Sequence, residues 1–264
     1  VVTPLDLLER HGSDAVRYWA ASGRPGTDTA FDENQMKVGR RLAIKILNAS
    51  RFVLGFGVAD DSGNEPVITH ALDRAMLAEL AAVVEDATNA FESYDYARAL
   101  ERTERFFWTF CDDYLELVKV RAYGEYGEAA ANSARAALTM ALSTLLRLFA
   151  PVMPFTTEEV WSWWRPGSVH RAAWPRTADL RTASGDVDRR VLSTAADVIR
   201  TVRKSKSDAK LSMRAEVGRL TVRGPQPFLT LFEEARRDVQ AAGHITQIEV
   251  VTSRDDSLVA EVNL

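Results

Sequence analysis

Residues 95–124 read DYARALERTERFFWTFCDDYLELVKVRAYG, with no proline or glycine before Gly124. Asp95 suits a helix N-cap, because its carboxylate can accept from the unpaired N–H groups of a first turn. Gly124 suits a stop, because it tolerates the left-handed backbone that ends a helix. The stretch therefore predicts one helix of roughly 40 Å at ~1.5 Å per residue. Phe107, Cys111, Tyr114 and Val118 recur at i, i+4, i+7 and i+11, the seam of a helix packed in a bundle. Phe106, Trp108, Phe110, Leu115 and Leu117 widen that seam over most of the circumference. Such a helix has to be surrounded. Asp112, Asp113, Glu116, Lys119 and Arg121 are expected on its narrow remaining side, facing water or polar partners.

The rest of the chain must supply that surround. Its 264 residues suffice for one large domain, or for a bundle with a smaller companion. No apolar run approaches the ~20 residues of a membrane span, and no basic leader with an apolar core argues for secretion, so a cytoplasmic protein is expected. Cys111 is the single cysteine, which excludes an internal disulfide and a multi-cysteine zinc site. On the helix seam it reads as a small buried hydrophobe.

From its start the chain gives Thr3 as a cap, Pro4 at the first helical position, a short helix to Arg10 and a stop at Gly12. Ser13 caps a second helix, Asp14 to Ser22, and the turn-rich loop Arg24 to Asp28 follows. A chain that opens inside such an ordered pair reads as a piece of a longer polypeptide. Asp32 caps a helix to about Leu54, with Leu42, Ile46, Ala49 and Val53 as its buried stripe, and Gly55 to Pro66 is a polar connector. His70 to Glu92 and Glu128 to Ala150 are long amphipathic helices, the second broken by Pro151 and Pro154. Thr156 and Thr157 are expected to cap a short helix through Trp161. After Trp174-Pro175 the composition changes. A helix over Asp186 to Lys206, a strand over Arg219 to Arg223 and a helix over Pro227 to Ala242 are predicted. Two further strands, Ile245 to Thr252 and Leu258 to Leu264, are joined by the turn sequence of residues 253–257. The fold class is mainly α: a four-helix bundle with extra short helices, followed by a small α/β module.

No catalytic or metal-ligating residue is expected. Asp112, Asp113 and Glu116 lack the Glu-x-x-His partner motif of bundle metal sites, and Glu116 finds Lys119 at i+3. His11, His70, His170 and His244 have no ligand spacing. Lys204 to Ser207 has no glycine to shape a phosphate loop and reads as an exposed basic helical turn. The distribution of charge is more informative than its sum of −4. No acid occurs from Asn34 to Ala59, where Lys37, Arg41 and Lys45 repeat at i, i+4 and i+8, and Arg40, Asn48, Arg51 and Phe52 extend the polar face. A second basic stretch, Val198 to Ala215, sets Arg200, Arg203, Lys204, Lys206, Lys210 and Arg214 against Asp208 alone. Most charged helix faces are simply solvated. The missing acids, and Phe52 beside Arg51, point instead to RNA, whose unpaired bases are held by planar groups beside phosphate-neutralising cations.

Several segments resemble the C-terminal half of class I aminoacyl-tRNA synthetases of the valine, isoleucine and leucine group. His11-Gly12-Ser13-Asp14-Ala15-Val16-Arg17-Tyr18 is similar to the segment after the family's catalytic lysine loop. Asn48-Ala49-Ser50-Arg51-Phe52 resembles an element of its first anticodon-domain helix. Pro154-Phe155-Thr156-Thr157-Glu158-Glu159-Val160-Trp161 resembles its Pro-Phe-x-x-Glu-Glu-x-Trp signature. The run Phe107 to Lys119, and Ile199-Arg200-Thr201-Val202-Arg203, resemble the valine branch most closely. The likeness runs from residue 1 to about 215 and is loose beyond.

This resemblance implies a stem-contact segment over 1–31, the class Ia anticodon-binding helical bundle over 32–180, and a linking helix with a small α/β module over 181–264. It places Lys37, Arg40, Arg41, Lys45, Asn48, Arg51 and Phe52 on the anticodon surface, with Arg200, Arg203, Lys204 and Lys206 as secondary tRNA contacts. It implies valine tRNA isoacceptors and the catalytic domain of the same polypeptide as partners, a monomer, and no membrane. No cofactor is expected in this stretch; the whole enzyme would use ATP to join valine to its tRNA. The nucleotide-binding signatures, the editing domain and the valine enzymes' coiled-coil tail are not in this sequence. Two other readings stay open: the same part of an isoleucine or leucine enzyme, and a non-catalytic helical module that binds protein. The chain alone should give no valine-dependent pyrophosphate exchange, and exchange above background in clean protein would overturn this reading.

Overall fold

The computed structural model describes residues 4–57 and 67–264. The expected Thr3 cap and residues 58–66 of the polar connector lie outside them. Helices α1 (Pro4–His11) and α2 (Ser13–Ala21) lead into α3 (Glu33–Leu54), and α4 (Ala71–Glu92) follows. The stretch quoted above is helical through α5 (Tyr96–Thr109) and α6 (Leu115–Ala122), and α7 (Glu128–Phe149) is the last long helix of the bundle. Next come α8 (Pro154–Ser162), α9 (Thr177–Ser184) and α10 (Arg190–Asp208). The remaining elements are β1 (Val217–Gly224), α11 (Gln226–Glu233), α12 (Arg236–Gly243), β2 (Ile245–Thr252) and β3 (Val259–Asn263). The mainly α architecture with a small C-terminal sheet is the one the sequence predicts.

Its details differ in instructive places. The helix expected from Asp186 begins at Arg190, whose N–H donates to the Asp188 carboxylate at 2.9 Å. The helix expected over 227–242 is two helices, and α9 is an addition. The last two strands read as turn-linked neighbours, yet they do not pair with each other. β1 lies between them, parallel to β2 (Leu220 opposite Ile248) and antiparallel to β3 (Leu220 opposite Val262). A parallel pair needs a crossover, and α11 and α12 are that crossover.

Contacts gather the described residues into two compact units. One takes 4–57, 80–107 and 138–180, the other 67–79, 108–137 and 181–264. In the first, Leu42, Ile46, Ala49 and Val53 are buried as their spacing predicts, and Phe107 meets Phe149 edge to face at 5.4 Å. Gly39 lets α3 approach α2 closely, since a Cβ there would lie 2.7 Å from that of Tyr18.

The second unit is organised around the C-terminal part of the quoted stretch. Asp95 caps as expected, accepting from the N–H of Arg98 at 3.2 Å, and Gly124 takes the left-handed backbone with φ 93°. Between α5 and α6, however, the ladder widens into a π turn over Phe110–Tyr114, where the N–H of Leu115 donates to the carbonyl of Phe110. Trp108 is only half-buried. Asp113 and Arg121, expected on the wet side, are inside at 3% and 1% exposure.

Arg121 has found partners for every donor. Its Nε and Nη2 donate to Asp238 at 3.0 Å each. Nη1 and Nη2 donate to Asp73 at 2.6 and 2.8 Å, and the second Nη1 proton reaches the Ala130 carbonyl at 3.5 Å. Tyr114 and Ser133 donate their hydroxyls to the two oxygens of Asp73 at 2.8 and 2.7 Å. Burial alone would favour loss of the guanidinium proton, but the hydrogen bonds and charges of Asp73 and Asp238 outweigh it and hold the proton more tightly than usual. Burial and then the charge of Asp73 push the Tyr114 phenol well above its ordinary range, so it stays a donor.

Removing one partner of such a cluster strands the others. Arg121→Met should cost about 3–5 kcal/mol in a urea melt, and Phe107→Ala about as much through its cavity. Glu116→Ala, at an exposed site, should stay within ~0.5 kcal/mol.

Candidate nucleic-acid interface

α3 carries its single acid, Glu33, in its first turn. Asp32 caps it, accepting from the N–H of Asn34 at 2.8 Å. The buried stripe then fixes the helix's rotation and leaves the cations outward. Lys37, Arg41, Lys45, Asn48 and Phe52 fall at i, i+4, i+8, i+11 and i+15, one row along the helix. Lys37, Arg41 and Asn48 are exposed, Lys45 and Phe52 half-buried. Arg40, Ile44 and Arg51 make the neighbouring row.

These two rows are not equivalent. The Arg40 guanidinium donates to the carbonyl of Arg10 at 3.0 Å, so it serves the join between α1 and α3. Arg10 itself reaches Glu33 at 3.0 Å, and that hydrogen bond holds the Glu33 carboxyl below its ordinary range. Ile44 is 49% exposed, an apolar side chain among cations that charge counting passes over. Phe52 meets Phe56 edge to face at 5.1 Å. Arg51 lies with its guanidinium carbon 5.7 Å from the centre of the Trp163 ring.

Trp163 comes from the end of α8, and α8 is held from elsewhere. The sequence predicts Thr156 and Thr157 as its caps; instead Pro154 opens the helix and Asp14 of α2 supplies the cap. The Asp14 carboxylate accepts from the N–H groups of Phe155 and Thr156 at 3.2 and 2.6 Å. Thr157 lies inside, its hydroxyl donating to the Met153 carbonyl at 2.9 Å. Arg17 secures the approach by donating to the carbonyls of Pro151 and Val152 at 2.8 and 3.2 Å. At the far end Trp161 is buried, and the Trp163 indole N–H donates to Glu159 at 3.0 Å.

The second basic stretch meets a different fate. Arg200 pairs with the buried Asp113 and with Asp197. Arg203 donates to the Asp112 carbonyl at 2.6 Å and reaches Asp113 at 3.5 Å. Lys206 is buried, its ammonium donating to the carbonyls of Gly243 and Met213 at 2.8 and 3.0 Å, and burial lowers its pKa. Lys204 alone of these four points into solvent without such a partner among those contacts.

The acids and histidines singled out in the sequence are dispersed in the structure. Asp112 and Glu116 are exposed while Asp113 is buried, so the three acids do not converge. Among the described residues no group of three His, Cys, Asp or Glu side chains could hold a metal, and no helix is long and apolar enough to cross a membrane. An open cleft of about 670 Å³ beside Tyr18 sets Asp28, Asp32, Glu101 and Glu104 against one cation, Arg24, an acidic balance that disfavours polyanions. Burial, then the hydrogen bond to Glu104, raises the Tyr18 phenol above its usual range.

The chain is also similar to several known proteins. The family described as the anticodon-binding domain of tRNA ligase matches residues 73–222. A valine–tRNA ligase of Thermobifida fusca is 59% identical over the whole of this chain, which spans 30% of that protein. Valine–tRNA ligases of Salinispora tropica and Bifidobacterium longum are 54% and 42% identical, with about the same share of their length covered. Among solved structures, the LeuRS of Agrobacterium radiobacter in a ternary complex with tRNA and LeuAMS matches 69% of this chain and 22% of its own. Its TM-score is 0.52 at 17% identity, a likeness of fold.

The long-range cap is open to a direct check. Asp14→Ala leaves two N–H groups of α8 unanswered and should lower stability by about 0.5–2 kcal/mol in thermal melts. Thr156→Ala, whose side chain the sequence would have made the cap, should have little effect.

Proposed function

The chain belongs to the anticodon-binding domains of tRNA ligases, and from that premise we propose that it is the tRNA-gripping part of a valine–tRNA ligase. The observation that carries the RNA surface is the outer face of α3. There Lys37, Arg41 and Lys45 stand in one row with Asn48 and Phe52, and Arg51 beside them, on a helix whose own acid, Glu33, is confined to the first turn. The likeness over the whole chain to valine–tRNA ligases supports valine as the amino acid of the parent enzyme. In that reading the partners are valine tRNA isoacceptors and the catalytic part of the same polypeptide. ATP is used by that catalytic part, in the cytoplasm, by a monomer.

The roles on the face divide by chemistry. Lysine is a strongly hydrated point charge, so Lys37 and Lys45 meet phosphates and hold the RNA without reading it. The planar guanidinium of Arg51 and the ring of Phe52 stack on or bracket splayed anticodon bases. Asn48 presents both a donor and an acceptor to a base edge. Arg40 is placed in support of α1, and the inward Lys206 and the acid-paired Arg200 and Arg203 leave Lys204 as the cation of α10 for a secondary contact.

The test is a set of dissociation constants for the wild type, Lys45→Ala, Arg51→Ala and Phe52→Ala against valine tRNA and an anticodon-swapped tRNA at two salt concentrations. Lys45→Ala should weaken both tRNAs alike and reduce the salt slope by about one phosphate's share. Phe52→Ala should cost ~1–3 kcal/mol, the usual worth of a stacked base. Arg51→Ala should shrink the preference for the valine anticodon. If both planar-group variants lose affinity equally for the two tRNAs, as the lysine variant does, the face is an electrostatic rail and base reading lies elsewhere.

A further inference from the structure

An arginine that reads a base has to be found in place when the RNA arrives. Arg51 is exposed near the end of α3, and a free arginine side chain there would populate many rotamers, each costing entropy to freeze on binding. In this structure it is not free. Its guanidinium sits over the Trp163 ring, 5.7 Å from the centroid, within the range of an attractive cation–π contact. The ring is itself restrained. Its indole N–H is tied to Glu159 one turn earlier, and its backbone N–H to the Val160 carbonyl at 3.1 Å. The helix that carries it is fixed at the opposite end by Asp14 and Arg17.

We propose that Trp163 is a positioning residue of the anticodon surface, holding the Arg51 guanidinium in its base-reading orientation, with Glu159 setting the ring. The proposal rests on the reading of Arg51 given above. It assigns a role in recognition to α8, which has no cation on the α3 face and which the charge pattern would leave out. Trp163 is 37% exposed, so it remains part of the surface that RNA approaches while its edge is anchored.

The contact predicts coupling, which separates positioning from bulk packing. Dissociation constants for valine tRNA and the anticodon-swapped tRNA are to be measured for Trp163→Ala, Arg51→Ala and the double variant, with thermal melts alongside. Trp163→Ala should weaken the matched tRNA by roughly two- to fivefold, the reach of an exposed cation–π contact. It should erode the matched-over-swapped preference in the way Arg51→Ala does, and it should add nothing in the Arg51→Ala background. The salt slope, which reports phosphates, should not change. Trp163→Phe keeps a ring under the guanidinium and should retain most of the preference, and Glu159→Gln, which keeps an acceptor for the indole, should behave like the wild type.

Should Trp163→Ala fail to fold, Glu159→Ala releases the ring without removing it and should reproduce a smaller loss of preference that again vanishes without Arg51. Losses that add in the double variant, or that fall equally on both tRNAs, would overturn the positioning role while leaving the anticodon reading intact. An Arg51→Ala variant that discriminates as well as the wild type would remove both.

Discussion

One guanidinium holds three separated stretches of this chain together. Arg121 donates to Asp73 from the first of them and to Asp238 from the last, while Ser133 and Tyr114, from its own stretch, complete the coordination of Asp73. A buried arginine is tolerable only when its five donors are answered, and a buried aspartate only when its lone pairs are. Here both conditions are met by the same set of bonds. The planar fork also has a direction, so the arrangement fixes the rotation of α6 and the register of α4, α7 and α12 around it in a way greasy contacts would not. A hydrophobic replacement of the entire cluster could be as stable; a partial one could not.

Much of this was within reach of the sequence, and charge type hid it. Arg121 continues the spacing of Tyr114 and Val118 at i, i+4 and i+7, so helical phase placed it on the buried seam all along. Asp113 likewise continues Phe106 and Phe110 toward Leu117. Phase and polarity disagreed at both positions, and phase was right because acids and bases from distant segments were there to meet them. Those partners left no local mark: Asp73 and Asp238 look like any helical acids. The π turn left none either, since Phe110 to Tyr114 reads as uninterrupted helix.

The same contrast separates the two basic stretches. The composition of Asn34 to Ala59 and of Val198 to Ala215 is alike, and from sequence both read as RNA-facing. On α3 the buried stripe alone decides which side chains face outward, and the row Lys37, Arg41, Lys45 was legible from its period. On α10 the placement of the cations depends on the buried Asp113, which pairs with Arg200 and Arg203, and on two backbone carbonyls that draw Lys206 inward. Trp163 could not be found from sequence for a related reason. Its value lies in meeting Arg51, 112 positions away in the chain, and no periodicity spans that distance.

The cap that Asp14 gives to α8 has a consequence in time. Its two hydrogen bonds join residues 141 and 142 positions apart, so during synthesis Asp14 is finished long before there is a helix for it to cap. Contacts of such separation form only after the intervening chain has been ordered, because the entropy of closing so long a loop must be met first. α8 starts life with its amino end unanswered and settles when the long helices made before it have packed. The tryptophan it carries reaches its place against α3 at that same late moment. The outer face of α3 is thus among the last parts of its unit to mature, and a chain caught short of that step would keep its lysines displayed while Arg51 still lacked the Trp163 ring beside it.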